Sequence, residues 1–288
     1  TAEGGYIISG VIESFSNGLD DVWLIKTYNE GNEEWNQAFG GSDYDRSFSV
    51  QQTSDDGFII GGRTNSFGDG SEAYDFLLIK TDSQGNQEWN HHFGGSDSDN
   101  EEGYYAIQTS DGGYIITGHT NSLGLGGTDI WLIKTDSEGN EQWNRNFGGA
   151  GNDRSYSIEQ TSNAGYIIAG VTGSNAWILK IDENGNEVWN QTIGNGIAYS
   201  AQQTIDGGYI ITGVGYQSSS ISYTESVMLI KVDSNGEITS TFNIPTPNSN
   251  RKLQKTVDIL GRETKSTKNQ PLFYIYDDGT VEKRIVIE

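Results

Sequence analysis

The chain contains no cysteine, one methionine and three prolines in 288 residues. Without thiols it has no disulfide, no thiolate nucleophile and no cysteine-ligated metal. All three prolines, Pro245, Pro247 and Pro271, fall after residue 244. No apolar run reaches the roughly 18 residues a transmembrane helix needs. Hydrophobic residues make up 33%, below a usual globular share. Basic residues are scarce too, with 17 Lys and Arg against 40 Asp and Glu. The deficit is uneven: residues 1–250 carry 9 basic and 34 acidic side chains, a net of −25, and residues 251–288 carry 8 and 6, a net of +2. An acidic body argues against nucleic acid or an anionic membrane as partner. It fits solubility, cation binding or secretion into a saline medium. There is no initiating methionine and no signal-like segment. The chain opens inside a repeat, which leads us to expect a processing product or a fragment boundary.

Catalytic signatures are missing as well. No Gly-x-Ser-x-Gly stands at a strand-to-helix turn. Any pair of carboxylates drawn from 40 acidic residues is uninformative. The three histidines give no metal set, since His91 and His92 are neighbours on one strand and point to opposite faces, leaving only His119.

What the chain does have is a repeat. Lys80-Thr-Asp-Ser-Gln-Gly-Asn-Gln-Glu-Trp89-Asn-His-His-Phe-Gly-Gly95 returns 54 residues later as Lys134-Thr-Asp-Ser-Glu-Gly-Asn-Glu-Gln-Trp143-Asn-Arg-Asn-Phe-Gly-Gly149. Related copies run from Lys26, Lys180 and Lys231. Each copy reads as four short strands: one like Ser47–Thr53, one like Tyr114–Thr117, one like Ile130–Lys134 and one like Gln142–Phe147. The second and third are apolar without a break, so both of their faces are covered. Four strands per roughly 50 residues without helical periodicity predict an all-β β-propeller of four-stranded blades. The units fall at about 42–95, 96–149, 150–195 and 196–244, after a first that starts at its second strand. We therefore expect about five blades, the first incomplete, over 1–244 and a small C-terminal β module over 245–288.

Trp35, Trp89, Trp143 and Trp189 hold the same place in the first four units, and Trp23, Trp131 and Trp177 share a second place in three of them. A ligand site is normally unique and a packing anchor must recur, so these indoles are expected to be buried blade-to-blade anchors. Ser240 stands in the fifth unit where Trp is expected. Asp21, Asp75 and Asp129 read as structural turn acceptors, and Gly85-Asn86 and Gly139-Asn140 as hairpin turns. The acidic loops Ser42–Asp45 and Ser96–Glu102 offer spaced oxygen ligands, which makes Asp43, Asp45, Asp97 and Asp99 candidate Ca²⁺ ligands. No other cofactor is expected.

The Asp82–Trp89 segment and its copies resemble the Trp-bearing repeat of quinoprotein-like propellers, one residue shorter and without the Thr. The repeated Gly-Gly-Tyr-Ile-Ile-Thr-Gly and Trp-Leu-Ile-Lys-Thr-Asp segments are similar to those of secreted bacterial repeat proteins, some described as endoglucanases or lipoproteins. This resemblance implies a propeller and brings no pyrroloquinoline quinone. Val257-Asp-Ile-Leu-Gly261-Arg262 and Pro271-Leu-Phe-Tyr274-Ile-Tyr-Asp-Asp278-Gly279-Thr-Val-Glu-Lys283-Arg284-Ile resemble the C-terminal sorting domain of type IX secretion. That resemblance implies the type IX machinery as partner, with those residues as the signal. It also implies a secreted location or the outer-membrane surface of a Gram-negative bacterium. The expected activity is binding or scaffolding of an extracellular polysaccharide or protein ligand. The alternatives are a glycan-acting, endoglucanase-like hydrolase and a Ca²⁺-stabilised adhesin.

Overall fold

Alternating and continuous apolar runs fold here into antiparallel strands. The structure is a computed structural model that describes residues 1–13, 19–67, 73–94, 101–124, 126–218, 223–245, 252–257, 262–264, 271–277 and 281–285. Every regular element among them is a strand. No helix among the described residues is long and apolar enough to cross a membrane.

The first sheet contains β1 (Tyr6–Glu13), β2 (Asp20–Thr27) and β3 (Glu33–Phe39) in that order. The second contains β4 (Asp45–Gln52), β5 (Phe58–Thr64), β6 (Asp75–Thr81) and β7 (Gln87–Phe93). The third contains β8 (Glu102–Gln108), β9 (Tyr114–Thr120), β10 (Asp129–Thr135) and β11 (Glu141–Phe147). The fourth and fifth repeats share one seven-stranded sheet. It runs β12 (Asp153–Gln160), β13 (Tyr166–Thr172), β14 (Asn175–Ile181), β15 (Glu187–Gln203), β16 (Tyr209–Ser218), β17 (Tyr223–Val232) and β18 (Ile238–Pro245). They are continuous because Phe-Gly-Gly, which breaks the chain between earlier repeats, is Ile193-Gly-Asn195 here. As a result β15 pairs with β14 through its first half and with β16 through its second.

Consecutive repeats pack face to face. β9, β10 and β14 are buried almost throughout, as their unbroken apolar sequences require, while β11 alternates half-buried and exposed positions. There is accordingly no single core. Four clusters lie between successive repeats, and the two faces of a strand serve different ones: Phe58 and Ile60 pack toward the first repeat, Ile59 toward the third. The first sheet differs. Tyr6 is 60% exposed, while its equivalents Phe58, Tyr114, Tyr166 and Tyr209 are buried.

The chain forms two compact units, residues 1–215 with 228–242, and residues 216–227 with 243–288. The second contains a three-stranded sheet of β19 (Leu253–Val257), β20 (Pro271–Tyr276) and β21 (Val281–Ile285), all antiparallel.

Candidate functional site

In the first unit the inner strands β4, β8, β12 and β15 pack beside one another in turn. Each carries a β-bulge at the same place. The register slips between Ser47 and Ser49, Gly103 and Tyr105, Ser155 and Ser157, and Ala198 and Ser200. The extra residues are Phe48, Tyr104, Tyr156 and Tyr199. A bulge re-aims one side chain off the pleat and is favoured beside functional sites. Here it brings four aromatic rings into series. Phe48 lies 5.4 Å from Tyr104, Tyr104 5.9 Å from Tyr156, and Tyr156 5.3 Å from Tyr199, all tilted. The two ends are open, Phe48 being 45% and Tyr199 48% exposed.

Polar groups gather along this belt. Arg63 of β5 pairs with Glu102 of β8 and lies 5.8 Å from the ring of Phe48 and 4.1 Å from that of Tyr74. The Tyr104 hydroxyl donates to Glu102 at 2.7 Å. Burial raises the Tyr104 phenol above its ordinary range, and the Glu102 charge adds to this, so the hydroxyl keeps its proton. His119 of β9 stacks on Tyr104 at 5.5 Å. Burial, with the Arg154 charge behind it, lowers His119 to about 4, so the ring is neutral at pH 7. Three buried nitrogens here have no hydrogen-bond partner: Arg63 Nε, His119 Nδ1 and Arg154 Nε. Buried donors and acceptors are nearly always satisfied, so three such nitrogens close together call for an explanation.

The expected anchors hold the scaffold around this belt. Trp35, Trp89, Trp143 and Trp189 each meet an aromatic ring of the next repeat, namely Phe58, Tyr114, Tyr166 and Tyr209, at 5.9, 5.5, 6.5 and 5.7 Å and nearly edge-on. They are half-buried rather than buried, because an outer strand has a repeat on one side and solvent on the other. Trp131 and Trp177, on third strands, are buried, while Trp23 is half-buried.

Beneath the anchors lies a series of lysines. Lys80 pairs with Asp55 and Glu88 at 2.9 and 2.8 Å, Lys134 with Asp111 at 2.9 Å and Lys26 with Glu3 at 2.9 Å. Burial alone would lower Lys80, but its bonds to Glu88 and Asp55 outweigh this and raise it. Lys180, 3% exposed, has Asn163 and Val188 where those acids would stand, and donates only to the carbonyl of Ile181 at 2.8 Å. Burial lowers it to about 8. It lines a cleft of about 420 Å³ with Trp189, Tyr209 and Gln203.

Of the candidate calcium ligands, Asp45 is fully buried. Its Oδ2 accepts from the Gly41 amide at 2.8 Å and Ser66 Oγ at 2.6 Å, and burial raises its carboxyl. Asp43 accepts from the adjacent Tyr44 amide at 3.2 Å. Asp97 and Asp99 lie outside the described residues. No group of three or more His, Cys, Asp or Glu among the described residues is placed to hold a metal ion. In the tail Arg262 is exposed and Tyr274 half-buried, and Lys283 and Arg284 lie on β21. Gly261, Asp278 and Gly279 fall outside the described residues.

No family model and no curated protein matches the chain. Solved structures do. A protein of unknown function from Bacteroides caccae is 13% identical, with a TM-score of 0.52 over 98% of this chain and 93% of that one. A protein from Lactobacillus plantarum is 10% identical, with a TM-score of 0.53 over 96% and 80%. A GH43 β-1,3-galactosidase is 10% identical, with a TM-score of 0.45 over 99% and 76%. These neighbours are propeller-like, and at this identity the likeness is one of fold alone.

Proposed function

We propose that this protein is a glycan-binding β-propeller of five blades, the first incomplete, with a small C-terminal β module that directs its export. The observation that carries this reading is the belt of Phe48, Tyr104, Tyr156 and Tyr199, four bulged aromatics in ring contact and open at both ends. Aromatic faces give a sugar ring a large apolar platform, and neighbouring hydroxyl, imidazole and guanidinium groups give its hydroxyls partners. Binding is favoured over hydrolysis because Glu102 is tied by Arg63 on one side and Tyr104 on the other, which removes it from acid–base work.

Export by type IX secretion is the second part of the reading. It is supported by the resemblance of residues 250–288 to the sorting domain and by the change of net charge from −25 to +2. It places the protein at or beyond the outer surface of a Gram-negative cell.

Affinity electrophoresis against a panel of soluble polysaccharides tests the binding. Retardation of the native chain, lost on Tyr156→Ala with the melting curve retained, is the expected result. Unchanged retardation would remove the belt from the function, and release of reducing ends would make the protein an enzyme. Deleting residues 245–288 is expected to strand the chain in the periplasm. Normal export of the truncated chain would defeat the sorting assignment.

A further inference from the structure

Residues 1–250 contain four arginines, and three of them have clear partners. Arg46 donates to Asp20 Oδ2 at 2.9 Å from Nε and 2.6 Å from Nη2. Arg63 pairs with Glu102. Arg145 donates to the carbonyls of Asn144 and Asn184 at 2.7 and 3.1 Å. Arg154 makes no ion pair with any described residue, and its buried Nε has no hydrogen-bond partner. In a region where 34 acids surround 9 bases, a guanidinium without a carboxylate is out of keeping with its neighbours. Arg154 is half-buried, and drawing even part of a guanidinium out of water without a counter-charge is costly, so the position needs a reason.

Its surroundings supply one. Arg154 is on β12, two residues before the bulged Tyr156, whose hydroxyl it contacts. Its charge acts on Tyr104, Tyr156 and His119, which places it at the middle of the belt. Across the sheet its register partner is Val171, which has no acceptor. One repeat earlier the corresponding residue is an acid, Glu102, and its register partner is His119. His119, 5% exposed and neutral, has its Nδ1 buried with no partner.

We infer that Arg154 recognises the carboxylate of an acidic sugar residue in a glycan lying along the belt, with His119 Nδ1 beside it as a neutral hydrogen-bonding group. The ligand class is then a uronate-containing polysaccharide. This rests on the glycan-binding reading and adds the charge of the sugar to it. A guanidinium presents paired N–H groups that match a carboxylate, and a charged hydrogen bond is about twice as strong as a neutral one.

Titration calorimetry of the full chain tests this, with an oligogalacturonate and its methyl ester as probes that share a sugar backbone and differ in the charge of the carboxyl group and one methyl per residue. An ionic strength of about 0.15 M limits repulsion from the acidic body to a range of roughly 8 Å. The native chain is expected to bind the acid at least about tenfold more tightly than the ester, the size of one charged hydrogen bond. Arg154→Gln should bring that ratio close to one, and Arg154→Lys should restore part of it. Tyr156→Ala should weaken both probes together. Equal affinity of the native chain for acid and ester overturns the carboxylate assignment and leaves glycan binding standing. An unchanged ratio in Arg154→Gln overturns the role of that residue. Tighter binding of dextran sulfate than of the oligogalacturonate assigns the site to a sulfate ester instead and also overturns the inference. Failure of both probes, with other polysaccharides still bound, overturns the uronate class. Failure of every glycan removes the underlying reading as well.

Discussion

The backbone amide of Ser110 donates a 2.8 Å hydrogen bond to Oε1 of Gln160, a residue of the next repeat. Ala2 and Gln52, Ser54 and Gln108, and Ser162 and Gln203 make the same bond at 2.7, 2.8 and 2.8 Å. Each ties the first hairpin turn of one repeat to the inner strand of the next, near the base of the strand that carries the bulged aromatic. Gln160→Ala is expected to cost about 1 kcal/mol, the usual net worth of such a bond. It should also weaken glycan binding by loosening β12. Urea unfolding and calorimetry on the same variant check both effects.

The indole anchors give a second, sharper comparison. Gly139, at φ +82°, sits against Trp89 and His91, and an added Cβ there would come within 2.3 Å of the His91 ring. Gly31 holds the same hairpin position at φ +85° and has nothing within 4 Å. Both sites carry the penalty of a side chain at positive φ, about 1 kcal/mol. Only Gly139 adds a clash between repeats. Gly139→Ala should therefore lower the melting temperature clearly more than Gly31→Ala. Equal losses would mean that the anchor contact contributes little. Trp143→Ala is expected to cost roughly 2–4 kcal/mol, somewhat under the range for a fully enclosed aromatic because its outer side is open.

Lys180 makes a pH prediction. Its folded value of about 8 lies below the ordinary 10.5, so the unfolded chain binds more protons between those limits. Stability from this group is lowest below pH 8 and rises toward pH 10.5. Asn163→Asp would supply the acid that Lys134 finds in Asp111. It should raise the melting temperature at pH 7 and flatten the rise above pH 8. A native melting curve that falls through that window, with no change in the variant, would show that Lys180 is already compensated.

His119 acts in the acidic range. Its folded value is about 4 against 6.5. The neutral ring is favoured in the folded state, so its contribution is whole above pH 6.5 and is lost as pH falls toward 4. His119→Gln should remove this part of the acid sensitivity, measured as the difference between the two melting profiles over pH 4 to 6.5. Parallel profiles would refute the assignment.

Much of this architecture is legible in the amino-acid sequence because it repeats. Unbroken β-branched and aromatic runs such as Tyr114–Thr117 and Ile130–Lys134, bounded by Gly, Asn and Asp, read as strands covered on both faces. The placement of Trp89 and Trp143 in equivalent positions marks a contact that every repeat must make. Local turn chemistry is equally plain: Asp136 Oδ1 accepts from the amides of Glu138 and Asn140 at 2.9 Å each, as the Asp-x-x-Gly-Asn pattern implies. The departure of Asn163 and Val188 from the repeat is also visible in the letters alone, once Lys134 is known to need Asp111.

The aromatic belt was not legible in this way. Phe48, Tyr104, Tyr156 and Tyr199 occupy matching places, but a period of two assigns such residues to one face of a regular strand. Only the pairing register shows that each is an extra residue on a bulge, turned toward the neighbouring inner strand. The half-burial of the anchor indoles has the same origin, since solvent on the far side of an outer strand depends on which neighbours exist in space. Sequence determined the strands, their repetition and the acidic surface, because these follow from side-chain type and local spacing. Tertiary structure alone decided that Arg154 and His119 stand beside one row of rings, because residues 35 positions apart meet only when sheets are stacked.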